Sequence, residues 1–387
     1  MKKLIVFFFV LSSLTLMAQV QETDSIQSGI WSKNGIDPFV SYASIAASNV
    51  SGGLDQTSRY SGQLYAGFKF DFEKMLGWKG TRAKISMINR HGRGLSNEVG
   101  SVFEPLNFVG GQNTFFYDLS IEKDFGKQVS FKVGRTTAAD DFSGSTLYYY
   151  SLNNTVNGVI RTLLLDGLMS TFPFPTWGAR LKYKPSSKHQ FQLGVYQLGK
   201  GIFDDTKHGL DFAFRSSDDL SIFFQYDWFG KIANQNARVY IGTHQAFGSF
   251  ANFDSNDETN HFMRFYGHID VELIDGLRSF LTMAYSANGE VAKVPFQSSL
   301  GLNWKGLVKS RANDRILFFA TIGSFSDEWA ILQGNELSPE IVLELGYRFQ
   351  ITNYFGLQPA VQYDIRPGGS GKIDNAVIPG VLIEANF

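Results

Sequence analysis

The chain has 387 residues, with 35 basic and 36 acidic side chains and a formal net charge of −1, so it carries no large basic field to hold nucleic acid. It contains no cysteine, which excludes disulfides and thiolate metal sites. Its 36 Phe, 16 Tyr and 6 Trp make it heavily apolar, yet beyond its first residues no apolar run reaches the roughly 20 residues that a membrane-crossing helix needs. A closed barrel is the other spanning structure that satisfies its own backbone in lipid.

Met1, Lys2 and Lys3 precede an unbroken apolar run from Leu4 to Val10, a softer run to Met17, and Ala18 before Gln19. A positive start, a short apolar core and a small residue at the cut predict a secretory signal peptide over residues 1–18. Loss of Lys2 and Lys3 with it leaves 33 basic residues against 36 acidic ones, a net charge of about −3. Residues 19–37 read as a polar lead-in, and 38–387 as one barrel domain in the bacterial outer membrane.

Strict alternation then begins. Tyr60, Gly62, Leu64, Ala66, Phe68, Phe70 and Phe72 alternate with Ser61, Gln63, Lys69 and Asp71. Ala83, Ile85 and Met87 alternate with Arg82, Lys84, Ser86 and, beyond Ile88, Arg90. Phe115, Tyr117, Leu119 and Ile121 stand against Asp118, Ser120 and Glu122, and Val129, Phe131 and Val133 against Ser130 and Lys132. One face suits lipid and the other water, which is the pattern of a membrane barrel with a wet interior.

Residues 136–172 break the rhythm. They are too many for a hairpin loop and too apolar in part to sit in water. The segment is predicted to fold inward and narrow the lumen, with a short helix over Val159 to Met169; packing outside the wall or on a second subunit is the competing placement. Its charged members are Asp140, Asp141, Arg161 and Asp166.

Alternation resumes at Trp177, Ala179, Leu181 and Tyr183, then at Phe191, Leu193 and Val195, at Leu210, Phe212 and Phe214, and at Leu220 through Trp228. It continues through Val239 and Ile241, Met263 to Val271, Leu277 to Tyr285, Leu300 to Trp304, Ile316 to Ile322, and Ile341 to Phe349. Short turns and longer polar loops take turns between these runs, and their spacing predicts an even number of strands near 16. Tyr60, Trp177, Tyr183, Trp228 and Trp304 fall near predicted strand ends, as interfacial girdles require. In the last stretch Val377, Pro379, Val381, Ile383, Ala385 and Phe387 form one face. Such a strand, ending on an aromatic, looks like the closing strand of an outer-membrane barrel, through which barrel-insertion machinery would receive the chain.

Several of these stretches carry a family resemblance. Ser299 to Asp314, SLGLNWKGLVKSRAND, resembles the G-L-x-W/Y-x-G-L and R-x-x-D pattern of the carbohydrate-selective porins, the OprB family. Glu344 with Tyr347 and Arg348, then Leu357-Gln358-Pro359, Gln362-Tyr363 and Pro367-Gly368-Gly369, resembles that family's penultimate hairpin. Weaker similarity lies at Gly134-Arg135, Asp141-Phe142, Tyr148 to Asn154, and Phe174 to Tyr183.

The resemblance implies an all-β fold, a transmembrane antiparallel up-and-down barrel of about 16 strands, passing small sugars through a polar constriction without enzymatic chemistry. The residues themselves imply a lining that mixes cations with carboxylates and amides. Such a lining can replace the water lost by a sugar's hydroxyls, and its mixed sign avoids the field that selects ions. The lumen-facing candidates are Arg82, Arg90, Arg180, Arg264, Glu344, Arg348, Gln358 and Gln362. A general or anion-preferring porin is the first alternative, and an outer-membrane barrel enzyme the second. Gly368 to Lys372 lacks the first glycine and the final hydroxyl residue of a phosphate loop, and no H-E-x-x-H or G-x-S-x-G occurs. No cofactor, catalytic group or metal is expected; the partners expected are small carbohydrates, outer-membrane lipid and a second copy of the chain.

Overall fold

Period-two patterning carries through into sixteen antiparallel strands in a computed structural model that describes residues 34–166, 168–199, 203–215 and 217–387. The predicted signal peptide and most of the lead-in lie outside the described residues. The strands are β1 (Ile36–Ser48), β2 (Ser58–Asp71), β3 (Thr81–Gly92), β4 (Thr114–Phe125), β5 (Val129–Thr136), β6 (Thr176–Ser186), β7 (His189–Leu198) and β8 (Asp219–Ile232). They continue with β9 (Gln235–Ala251), β10 (Glu258–Ile274), β11 (Leu277–Ser286), β12 (Phe296–Lys305), β13 (Arg315–Ser324), β14 (Glu340–Gln350), β15 (Phe355–Ile365) and β16 (Ala376–Asn386). Each pairs with its sequence neighbours, and β1 closes the barrel on β16 through the register Ser41↔Asn386 to Ala47↔Gly380.

The outward faces are those that the alternation marks: Leu64, Phe68, Leu181, Leu193, Ile241, Phe265, Met283, Leu345 and Val361 are all exposed. Tyr60 and Trp177 stand at the long-loop end, and Tyr183, Trp228 and Trp304 at the short-turn end, so these aromatics fall near strand ends as expected.

Three expectations are corrected. On β4, Phe115 and Tyr117 point inward and are buried. The pairing with β3 steps from Ser86↔Asp118 to Met87↔Phe116, leaving Tyr117 as an extra residue; a bulge of this kind turns the residues beyond it to the other face. Leu210 to Phe214 is irregular rather than a strand. It lies on the outside of the wall, where Phe116 N donates to His208 O (2.9 Å) and Phe212 packs on the rings of Phe116 (5.9 Å) and Trp177 (6.3 Å). There it covers Arg135, which shares an outward face with Phe131 and Val133. The Arg135 guanidinium donates to the carbonyls of Asp211, Gly209 (3.2 Å) and Pro175 (3.0 Å) and stacks on the Phe212 ring (5.0 Å). Leu210, Phe212 and Phe214 stay 60%, 40% and 77% exposed. Finally, the helix expected over 159–169 is a single turn, Thr162–Leu165.

The interior is filled by chain. The segment between β5 and β6 packs Phe142, Ile160, Leu163 and Met169 against Tyr196, Phe223, Tyr240 and Tyr266 of the wall. Its Leu147, Tyr148 and Val156 meet Phe280, Leu317 and Phe319. Leu152, with Leu95, Val99, Leu106 and Phe108 of the β3–β4 loop, packs on Ile45, Ala47, Ile378 and Leu382. This packing explains why β1 escapes detection from sequence. Its inner face carries Phe39, Ala43, Ile45 and Ala47, so both of its faces are largely apolar and no alternation shows.

Candidate functional site

A segment of irregular chain inside a barrel brings backbone N–H and C=O groups that must find partners. The inward side chains of the wall supply them. Glu344 accepts from Leu152 N (2.9 Å), Asn153 N (3.0 Å) and Ser151 Oγ (3.0 Å). Gln362 accepts from Asn153 Nδ2 (2.9 Å) and donates to Pro105 O (3.0 Å), while Gln358 donates to Tyr150 O (2.6 Å). Gln297 accepts from Thr162 N (2.8 Å) and donates to Thr155 O (2.7 Å), and Gln225 accepts from Ser143 N (2.9 Å). Glu340 plays the same part for the β3–β4 loop, accepting from Val102 N (3.0 Å), Phe103 N (3.2 Å) and Ser101 Oγ (2.7 Å).

The charged candidates are committed in a similar way. Arg180 pairs with Glu122 (2.6 Å) and Asp141 (3.3 Å), and Arg264 with Asp166. Arg348 pairs with Glu384 (2.7 Å). Arg82 sits half-exposed at the short-turn end, paired with Asp124 (2.6 Å) and Glu122 (3.4 Å). Asp141 lies on the interior segment, held by Lys132 (2.5 Å), Arg180 and the Tyr196 hydroxyl (2.8 Å). Burial pushes its carboxyl up, but the charges of Lys132 and Arg180 outweigh that and hold it below the usual aspartate value. Its neighbour Asp140, also fully enclosed, is raised by burial despite Lys84 and Lys132 nearby.

What remains open is a cavity of about 760 Å³ between the interior segment and the wall formed by β1–β4 and β16. Its lining runs from Asp37 and Asn386 at the short-turn end to Gly110 and Phe203 at the long-loop end. Of the eight predicted residues only Arg90 lines it. Arg90 donates from Nε to Gln63 Oε1 (2.9 Å) and from an Nη to the carbonyls of Val109 (3.1 Å) and Gly110 (3.3 Å). Asp140 and Arg161, singled out by charge within the long segment, line it too, as do Lys69 and Lys84, which the alternation places on the inward face. Tyr65, Asn107, Tyr149 and Phe172 are additional lining groups. Tyr65 was legible as an inward position on β2, and Tyr149 lies in the Tyr148 to Asn154 stretch of family similarity; nothing local marks Asn107 or Phe172, since the path of the loops decides them. Tyr65 packs with Phe39 (4.9 Å), Tyr117 (5.8 Å) and Phe172 (5.3 Å), giving the cavity one aromatic flank.

One pair looks like hydrolase chemistry: Ser221 Oγ lies 2.7 Å from His244 Nε2. The serine, however, donates its hydroxyl proton to Leu168 O (2.8 Å), so the imidazole can only donate to it. Among the described residues His244 Nδ1 is buried without a partner, so no acid there orients the ring, and neither residue lines the cavity.

Comparison with known proteins agrees with this geometry. The high-pH structure of Pseudomonas putida OprB matches with a TM-score of 0.86 at 20% identity, covering 92% of this chain and 94% of that one. The outer membrane channel DcaP of Acinetobacter baumannii matches with a TM-score of 0.57 at 10% identity, covering 93% and 99%. Porin B of Pseudomonas aeruginosa is 23% identical over 92% of this chain and 88% of its own length. The family model for the carbohydrate-selective porins covers residues 55–387. The match of that family model, on a closed sixteen-strand wall with a lined cavity in a largely filled interior, places the chain in the carbohydrate-selective porin, OprB family, a family of outer-membrane channels rather than enzymes.

Proposed function

We propose that small sugars diffuse through the cavity between β1–β4, β16 and the interior segment, and that this cavity is the selective part of the channel. The observation that carries the reading is its lining, which reaches from the short-turn end to the long-loop end. A pyranose has apolar C–H faces and an equator of hydroxyls. Tyr65, Tyr149 and Phe172 offer rings to the faces, while Gln63, Asn107 and Arg90 offer acceptors and donors to the hydroxyls. In this reading Glu344, Gln358, Gln362, Arg180 and Arg264 shape the constriction by holding the interior segment, Arg348 stands over the Tyr150 ring of that segment (5.6 Å), and only Arg90 of the eight candidates meets the solute.

Export through cleavage after Ala18, delivery to the barrel-insertion machinery through β16 and Phe387, and assembly with further copies complete the reading. Liposome swelling tests the central claim. With purified, inserted protein, glucose is expected to permeate faster than a size-matched polyol. Permeation ordered by size alone would remove the selectivity, and no permeation of any solute would remove the channel.

A further inference from the structure

The outer wall carries a row of polar side chains where hydrocarbon alone would ask for apolar ones. At the long-loop end of β1–β4, Tyr42, Tyr60, Asn89, His91 and Thr114 share the outward face with Leu64, Phe68 and Met87, which are apolar and exposed. The bulge at Tyr117 is what turns Thr114 outward to meet Asn89. Gly62, between Tyr60 and Leu64 on that face, leaves the space that the row needs. A Cβ there would lie 2.5 Å from His91 Nε2 and 2.8 Å from the Tyr60 hydroxyl.

The row is one directed chain of hydrogen bonds. His91 Nδ1 lies 3.0 Å from Asn89 Oδ1, which can only accept, so Nδ1 carries the proton and Nε2 is the acceptor. Tyr60 therefore donates to His91 Nε2 (2.8 Å), and its oxygen receives the Tyr42 hydroxyl proton (2.5 Å). At the other end Asn89 Nδ2 donates to Thr114 Oγ1 (2.8 Å), and His208 of the outside loop donates from Nδ1 to Thr114 O (2.9 Å). Among the described residues two capacities stay open, the lone pairs of Tyr42 Oη and the hydroxyl proton of Thr114. Basic groups border the same edge. Arg93, whose N donates to Tyr60 O (2.8 Å), and Lys207, which precedes His208, are both exposed. Asp204, close enough to feel the charge of Lys207, already accepts from Thr206 N (2.9 Å) and Thr206 Oγ1 (2.5 Å).

Going outward along this flank, the wall is apolar, then polar and aromatic, then basic. That is the order of acyl chain, sugar and phosphate in a lipid of the leaflet that the long loops face. We propose that the row binds the headgroup of a phosphorylated glycolipid in that leaflet. Its sugar hydroxyls bond to Tyr42 and Thr114, a sugar face lies on the Tyr60 ring, and its phosphate meets Arg93 and Lys207. A polar row open to hydrocarbon would cost free energy, which such a headgroup removes.

The test is native mass spectrometry of the folded protein in detergent, titrated with bisphosphorylated lipid A, with dephosphorylated lipid A and with phosphatidylglycerol. Bisphosphorylated lipid A is expected to bind about tenfold more tightly than phosphatidylglycerol, and Y42F/T114V to remove that preference. R93Q/K207Q, changed only outside the strands, is expected to weaken bisphosphorylated lipid A about fivefold and to leave the dephosphorylated form unchanged. Glucose-driven liposome swelling should stay at the wild-type rate in both variants, since none of the four residues lines the cavity. Equal affinity for bisphosphorylated lipid A and phosphatidylglycerol, or a folded Y42F/T114V protein that keeps the preference, would overturn the site. Unchanged binding of bisphosphorylated lipid A by R93Q/K207Q would overturn the phosphate contact. Multimers in place of lipid adducts, dispersed by Y42F/T114V, would overturn the lipid site in favour of a contact between copies of this chain.

Discussion

Two stretches of the inner wall carry similar residues to opposite ends. On β14 and β15, Glu340, Glu344, Gln358 and Gln362 face inward and are buried, because interior chain lies against them and takes their hydrogen bonds. On β2 and β3, Gln63, Lys69 and Lys84 face inward onto the cavity, and Arg90 does both, lining the cavity while it holds the carbonyls of Val109 and Gly110. An inward polar residue in a barrel is therefore a fastener or a lining group according to whether a loop passes over it, and its own chemistry does not decide which.

Breaking a fastener should have the largest effect. Glu344→Ala leaves the backbone amides of Leu152 and Asn153 unpartnered in a buried site, at about 1–3 kcal/mol for each unsatisfied group. The expected outcome is a loss of stability of about 3–5 kcal/mol, with a larger single-channel conductance and passage of oligosaccharides as the interior segment loosens. Thermal unfolding and conductance of one preparation check both. Unchanged conductance would mean that the segment is held without this carboxylate.

Asp140 and Asp141 set the two environments side by side on one backbone. Asp141, pinned to Lys132 and Arg180, has a depressed pKa, so its ionised form stabilises the fold above the ordinary aspartate range, and that contribution is lost as pH falls below it. Asp140, on the cavity side, has a raised pKa, so its ionised form costs stability at neutral pH, and the cost disappears on acidification. Asp141→Asn should therefore weaken the barrel at pH 7, with the deficit shrinking below about pH 4. Asp140→Asn should strengthen it at pH 7 and make no difference in acid. Unfolding midpoints across pH decide the matter, and parallel curves for the two variants would remove the distinction.

The smallest effect belongs to a lining group with no fastening role. Asn107→Ala should shift stability by no more than about 0.5 kcal/mol. It should narrow the glucose-to-polyol permeation ratio by about threefold, the worth of roughly one hydrogen bond. An unchanged ratio would take Asn107 out of the solute's path.

How much of this could be read in the sequence follows from the same contrast. Lipid imposes one rule on every outward position, so the faces of β6, β7 and β9–β14 were legible as alternation. The inner faces obey whatever lies against them. Where interior chain packs, as on Ile45, Ala47, Leu317, Phe319, Ile378 and Leu382, they turn apolar, which hid β1. Leu210, Phe212 and Phe214 keep the period of a strand although they lie in a loop on the outside of the wall, and Tyr117 lost its register to a bulge that no residue type announces. At the site, inward polarity was legible, and so was the charge of Arg90, Arg161 and Asp140. The division into fasteners and lining was not, since it depends on the path of the segment between β5 and β6.

The loop that covers Arg135 reaches beyond barrel architecture into the bilayer itself. Over β4–β6 it adds Leu210, Phe212 and Phe214 to the outer surface, so on this flank a loop, and not strands alone, makes the apolar face. Lipids, or a neighbouring barrel, that meet this side meet side chains whose backbone is outside the sheet, and any fit of the bilayer to the barrel has to accommodate them.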